Sequence, residues 1–464
     1  MIRKTLMVTS LAAAYLMSAQ DVSTIKNTAD VYSNSSFQGS AKYNAMAGSM
    51  GALGGEYSVI NSNPAGIGVS IANDFSATLG IQSQNNVSRL NNQSVEYKTN
   101  NTDITNSGGI AVFPVSSSNW KFVNVGVSYS NRSLDDYTET PGNSNVSLEY
   151  VDDDQNVQNF GFAGHAYNRY GNLNKTGIAV GGNYDNRIYV GVGVNFQNSI
   201  LDQFDSAAFT SPTGSVEYFD KQYTPFSESA SGFSASVGVI GKINPNFRVG
   251  AAVETPTWWN IERIYNSYPI STYGSYFEDR KLSSPLKATL SAAYVANKNF
   301  SVNVDYSLGL TKPKYKVYGE AETVLNDFFS DSYTSNSEVK IGAEYRLDAF
   351  RLRAGYGYAA SPFDSVSISA FDNAGSGANR SFDNMFISSR NTVGAGIGYD
   401  FRSFYIDAAY QYVNSDYSNP FLYGSQTAGT GYYSGNTALN SSNYLVSDVE
   451  STQNNFFVTL GWKF

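Results

Sequence analysis

The run Arg187–Phe196, RIYVGVGVNF, limits the possible folds more than any other stretch of the chain. Ile188, Val190, Val192, Val194 and Phe196 fall on one face of an extended backbone, and Tyr189, Gly191, Gly193 and Asn195 on the other. Successive side chains leave a strand on opposite sides, so a period of two with one apolar face is the mark of a strand. Residues 300–308, FSVNVDYSL, repeat the pattern. About fourteen such runs can be placed, at 73–83, 107–115, 121–131, 174–184, 187–198, 231–241, 246–256, 285–296, 299–309, 337–347, 350–360, 390–400, 403–413 and 453–464.

The connections between them alternate in length. Tight turns such as DN at 185–186, NPN at 244–246, NKN at 297–299, DAF at 348–350 and FRS at 401–403 are hairpin turns. The others are long and polar, at roughly 84–106, 132–173, 199–230, 257–284, 310–336, 361–389 and 414–452. Short turns on one end and long loops on the other are the arrangement of an outer-membrane barrel, and an even strand count returns both termini to the periplasm. The final strand, NFFVTLGWKF, puts Phe456, Val458, Leu460, Trp462 and Phe464 on one face. It resembles the C-terminal strand read by barrel-insertion machinery, which is therefore an expected partner.

Composition fits this reading. Charged residues are 15%, while Tyr (35), Phe (28) and Gly (41) are abundant, and mean hydropathy is −0.30 because alternation averages it away. There is no cysteine, so no disulfide framework. The first twenty residues, MIRKTLMVTSLAAAYLMSAQ, read as a secretory signal: a basic start, an apolar core too short to span a bilayer, and small residues at the end. A net charge of −9 argues against a nucleic-acid partner. Arg248, Glu254, Lys287, Asp305, Lys340, Glu344, Arg346, Arg351, Arg353 and Asp407 lie opposite the apolar faces. Charge facing lipid is costly, so they are expected to line the interior in pairs of opposite sign.

Residues 21–72 precede the first strand and lack this alternation. SAKYNAMAGSMGALGG can form short helical turns with Ala41, Ala45, Met46 and Met50 inside, and its small residues permit close approach to a wall. A fourteen-stranded barrel with a Gly-, Ala-, Ser- and Asn-rich interior would leak unless filled, so this segment is expected to plug it. In NSNPAGIG, Pro64 fixes its own backbone, restricts Asn63 to an extended form, and Gly66 allows a sharp corner.

The stretch GSAKYNAMAGSMGALGGEYSVINSNPAGIG, with its turn Asn63, Pro64, Ala65 and Gly66, resembles the N-terminal hatch of the FadL/TodX family of outer-membrane transporters. FRVGAAVETPTWWNIE and SSPLKATLSAAYVANKNFSVNVDYSLG are similar to later parts of that family. The resemblance implies an all-β, fourteen-stranded antiparallel transmembrane barrel with the hatch in its lumen. It implies passive uptake of hydrophobic molecules such as long-chain fatty acids, gated by the hatch, with a lateral exit at an inward kink in the third strand. Gly126 is the candidate for that kink. Expected partners are a hydrophobic small molecule or fatty acid, outer-membrane lipid and lipopolysaccharide. The domains read as 1–20 signal, 21–72 hatch and 73–464 barrel in the outer membrane of a Gram-negative cell. The alternative is a barrel of the same fold acting as a secretion accessory or surface interaction protein.

Other features are weaker. Trp258 and Trp259 close the seventh strand, as girdle residues or as part of a greasy capture surface. His165 is the only histidine, and with no cysteine a haem or hydrolase site has little support. Asp152, Asp153 and Asp154 read as a solvated loop, since an EF-hand counted from Asp152 would need glycine where Val157 stands. Gly48, Gly51, Gly54 and Gly55 lack the following Gly-Lys-Ser/Thr of a phosphate loop. No catalytic residues, metal ligands or cofactors are expected.

Overall fold

A computed structural model describes residues 19–34, 38–116, 119–152, 154–266, 275–425 and 430–464. The expected signal segment falls almost wholly outside these residues, as does Asp153. Fourteen strands run antiparallel around a closed barrel. In order they are Asp74–Leu90, Gln93–Pro114, Trp120–Ser133 continued by Asp136–Val151, Val157–Tyr184, Ile188–Thr210 and Phe226–Lys242. Then come Phe247–Glu254 continued by Trp258–Asn266, Ser275–Ser283 continued by Lys287–Val295, and Phe300–Gly309 continued by Lys314–Val317. The last five are Ser337–Leu347, Phe350–Ala359, Arg390–Asp400, Phe404–Phe421 and Leu445–Lys463. Closure is by the first strand on the last, in unbroken register from Asp74↔Lys463 to Arg89↔Asp448. No described helix is long and apolar enough to cross a membrane; the strands make the crossing.

The alternating runs are the membrane-crossing halves of these strands. Ile188, Val190, Val192 and Phe196 are exposed on the outer wall, and the residues between them are buried inside. Aromatic side chains gather at the short-turn rim, where Phe401 stacks on Phe404 with centroids 4.3 Å apart. Several of the interior charges are paired: Arg353 donates to Glu344 and Asp407, each at 2.7 Å, and Lys340 lies 2.8 Å from Glu338, whereas Arg248 and Asp305 bond backbone groups of residues 50–53 instead.

The long connections differ from expectation. Most of their length continues the strands: the first hairpin is paired out to Leu90↔Gln93, and the fourth and fifth strands from Tyr184↔Ile188 to Gly161↔Thr210. Beyond the membrane no face need be apolar, so the hydrogen-bonded ladder continues after the period-two pattern has vanished. A helix, Glu320–Ser332, and a separate hairpin, Val366–Phe371 with Gly377–Phe382, complete the cap at this end.

Candidate functional site

The plug is built from short turns. Ser40 caps the helix Ala41–Ala45 by accepting from the Tyr43 amide, and Asn63 caps the 3₁₀ turn Pro64–Val69 by accepting from Ala65, with Pro64 where a missing N–H costs nothing. Ala41, Ala45, Met46 and Met50 are all buried. The wall holds the plug by its backbone. Asp305 accepts from the Met50 and Gly51 amides, both at 3.0 Å, Arg248 donates to Leu53 O at 2.9 Å, and Thr459 accepts from the Ala41 amide at 2.7 Å. Asn63 donates across to Gly51 O and Val239 O, which ties the turn to both plug and wall.

Around the plug the wall presents glycines. A Cβ on Gly191 would enter Pro64 and Ala65, one on Gly238 would enter Asn63, and one on Gly355 would enter Met46. At Gly181 it would stand 2.7 Å from Ile67, and at Gly342 2.8 Å from Met46. Gly181, Gly191, Gly238, Gly342 and Gly355 thus mark the footprint of the plug on the barrel.

A second internal element lies above the plug, in the half toward the long connections. This arm comprises the helix Ala19–Asn27 and a wider turn, Thr28–Tyr32. Ile25, Val31 and Tyr32 are buried in a cluster with Trp259, Tyr265, Phe329, Tyr333, Phe363 and Phe386. Tyr32 meets Trp259 edge-on with centroids 5.0 Å apart. Leu325 and Phe329 lower one face of the cap helix into the same cluster, while Asp327 and Asp331 face outward. Polar contacts tether the arm: Lys26 to Asp136 at 3.2 Å, Asp30 to Arg169 at 2.5 Å, Thr24 to Arg280 at 2.9 Å, and Tyr32 to Glu228. Burial pushes the Asp30 carboxyl up, but Arg169 and Arg132 outweigh it and hold the group well below the usual carboxylate range.

Between arm and plug lies a chamber of about 230 Å³. Lys26, Asp30 and Asn34 line it from the arm, Tyr43, Asn44 and Gly48 from the plug, and Gln84, Arg132, Glu338 and Arg390 from the wall.

The chamber reaches a break in the barrel. The ladder between the second and third strands ends at Asn106↔Ser130. Beyond it the third strand turns inward through Leu134–Asp135 and passes behind the first, where Asn86 donates to Asp136 at 2.8 Å and Ser88 bonds Thr140 at 2.9 Å. Side chains alone bridge the seam: Asn131 donates to Asp103 at 2.5 Å and Asn101 to Asp135 at 3.2 Å. Opposite the bend Gly171, at φ +150°, approaches Ile200 and Leu201 too closely for any side chain.

The residues expected from sequence are dispersed by this geometry. Asn63, Pro64, Ala65 and Gly66 sit on the wall at the plug's edge. Gly126 is in an unbroken ladder, opposite Ile110 on one side and Ala179 on the other, with Ile60 of the plug against it. The strand comes apart farther along. Trp258 points outward, 48% exposed, and stacks on Phe233; Trp259 points inward and is 2% exposed. His165 joins Asp205 at 2.9 Å and stacks on Phe421 in the cap. The arm and the chamber charges Arg132, Asp136 and Arg169 were not anticipated; a kink in the third strand was, but at Gly126 and not at Leu134–Asp135. The charges fall in stretches without apolar alternation, which read as a long polar connection.

Fold and interior together define a class: an outer-membrane-type β-barrel of fourteen strands with an internal plug and a seam at the third strand. No protein-family model matches the chain, and no curated protein matches it. Solved structures do. A FadL homologue from Pseudomonas aeruginosa is 13% identical with TM-score 0.54, covering 91% of this chain and 98% of that one. The toluene transporter TodX of Pseudomonas putida is 14% identical with TM-score 0.53, covering 93% and 99%. The chain has the FadL/TodX-type fold.

Proposed function

We propose that this protein carries hydrophobic molecules passively across the outer membrane, long-chain fatty acids among the candidates. The observation that carries this reading is the aromatic cluster inside the barrel, around Tyr32, Trp259, Phe329 and Phe386, which the arm fills in this structure and which would give an apolar solute a water-poor site on withdrawal of the arm. The shared fold with a described toluene transporter supports it. In this reading the short turns face the periplasm and residues 21–72 form the hatch, with Asn63–Gly66 as its fixed corner. Trp259 belongs to the capture surface, Trp258 anchors the wall at the lipid boundary, and solute leaves sideways through the seam. Transfer of each methylene into the cluster would contribute about 0.8 kcal/mol.

The test is uptake of labelled laurate and toluene by cells whose outer membrane carries this barrel, with and without an Asn101→Cys/Asp135→Cys crosslink across the seam. Uptake above an empty-membrane control, abolished by oxidation and restored by reductant, is the expected result. No uptake of either compound overturns the transport reading and favours the surface-interaction alternative. Uptake indifferent to the crosslink removes the lateral exit.

A further inference from the structure

Where the fifth to ninth strands leave the apolar band, the outer face of the barrel is sorted into rows. Register sets Phe196, Phe233, Trp258, Ser283 and Lys314 side by side. The next row, two residues farther toward the long connections, is Asn198, Ser231, Asn260, Lys281 and Lys316. The third holds Ile200, Ser229, Glu262 and Asp279. Successive rows are about 7 Å apart. An aromatic row at the lipid boundary is thus followed by an amide, hydroxyl and lysine row, and then by carboxylates. The second and third rows line a groove of about 830 Å³ together with Tyr318 and with Glu322 of the cap helix. That helix is fixed against the ninth strand: Asn326 exchanges two bonds with the Tyr315 backbone, at 2.8 and 2.9 Å, and Glu322 accepts from the Val317 amide at 3.0 Å.

The lysines of this face are arranged against their own interest. Lys281 and Lys316 stand directly opposite each other, and like charges so placed destabilise a sheet. Both are exposed, as is Lys314, and among the described residues none of the three has a polar partner. Other exposed cations beyond the membrane are engaged: Arg89 with Glu450, Arg380 with Asp372, and Lys312 with Ser330 O at the end of the cap helix. An anion standing among Lys281, Lys314 and Lys316 would turn the repulsion into attraction.

The surroundings say from where that anion comes. An acidic protein arriving from solution would meet Glu262 and Asp279 first, on a chain of net charge −9. An anion anchored in the membrane arrives across the aromatic row and meets Lys314 and then the Lys281–Lys316 pair. The second row spans four strand spacings, about 19 Å, wider than a lone phosphate. Beyond the lysines it offers the side chains of Asn198, Ser231 and Asn260, which suit sugar hydroxyls.

We infer that this face binds the phosphorylated sugar head of an outer-leaflet glycolipid, with phosphate among Lys281, Lys314 and Lys316 and the sugar along the amides. From the uptake reading it takes only the orientation of the barrel, short turns to the periplasm, and a failure of uptake leaves its test untouched. The test is native mass spectrometry of the full barrel in a non-ionic detergent, titrated with diphosphoryl lipid A, with phosphatidylglycerol and with polyglutamate. Lipid A is expected to bind at least tenfold more tightly than phosphatidylglycerol. Lys281→Gln/Lys316→Gln should weaken it about tenfold, and Lys98→Gln, an exposed lysine of the second strand, should leave it unchanged. Lys316→Gln alone is the second variant should the double one fail to fold. Lipid A binding no tighter than phosphatidylglycerol, or as tightly to the lysine variants as to the parent, overturns the glycolipid site. Polyglutamate displacing lipid A also overturns it and points to an acidic protein partner.

Discussion

Glycine in the sixth strand has a different meaning at Gly238, on the inward face, and at Gly241, on the outward face with Val237 and Val239. The first faces Asn63 and Pro64 with no room for a methyl; around the second nothing lies within 4 Å. Gly238→Val and Gly191→Val are therefore expected to cost about 1–3 kcal/mol each through overpacking, and Gly241→Ala less than about 0.5 kcal/mol. Unfolding in detergent, followed by the heat-dependent mobility of the barrel, measures the difference; equal costs at the three sites would dissolve the distinction. Trp258 and Trp259 show the same dependence on place. Adjacent in sequence, they are sorted by the pleat into a lipid-facing ring and a lumen-facing one, which is why the pair supported two readings until strand direction was known.

Among the elements, the cap has a stability tied to pH above neutrality. Lys221 ends the short strand Val216–Lys221, which pairs with Tyr432 and Tyr433; its ammonium donates to Tyr423 O at 3.0 Å and lies over the Tyr432 ring. Burial pushes this group down to about 8, against a smaller opposing pull from Asp205. An unfolded lysine keeps its charge to about 10.4. Below pH 8 the cap must hold a buried cation, and that penalty disappears as pH rises from 8 toward 10.4. Protease resistance of this hairpin is thus expected to increase between pH 7 and 9.5, and Lys221→Met should remove the dependence. How far each element was legible follows from the same physics. Membrane-crossing strands had an apolar and a polar face, so alternation exposed them. Their extensions, such as Tyr137–Glu149, carry only a short apolar alternation at Val146 and Leu148 within an otherwise polar run, and passed for loops. The arm was merged with the plug because neither alternates, and the bend at Leu134–Asp135 escaped notice because an inward turn held by Asn and Asp side chains carries no glycine or proline of its own. The turn Asn63–Gly66 was visible because it is local.

Across the whole molecule the lumen is occupied at two levels that are held differently. The plug is wedged among glycines and bonded through its backbone; the arm is held by side-chain ion pairs and apolar contact. Removing residues 21–34 should therefore leave ion conductance in planar bilayers near that of the intact protein, whereas removing residues 21–66 should raise it to that of an open channel. Large conductance from the shorter deletion would mean that the arm, and not the plug, seals the barrel. The amide of Ala41, in the plug, is bonded to Thr459 of the fourteenth strand, and Thr459 is bonded in turn to Thr78 of the first. The plug leaves the ribosome before any strand, and the fourteenth strand after all the others. Its seating and the joining of the two ends of the sheet converge on one threonine, which couples the fit of the plug to the closing seam of the sheet.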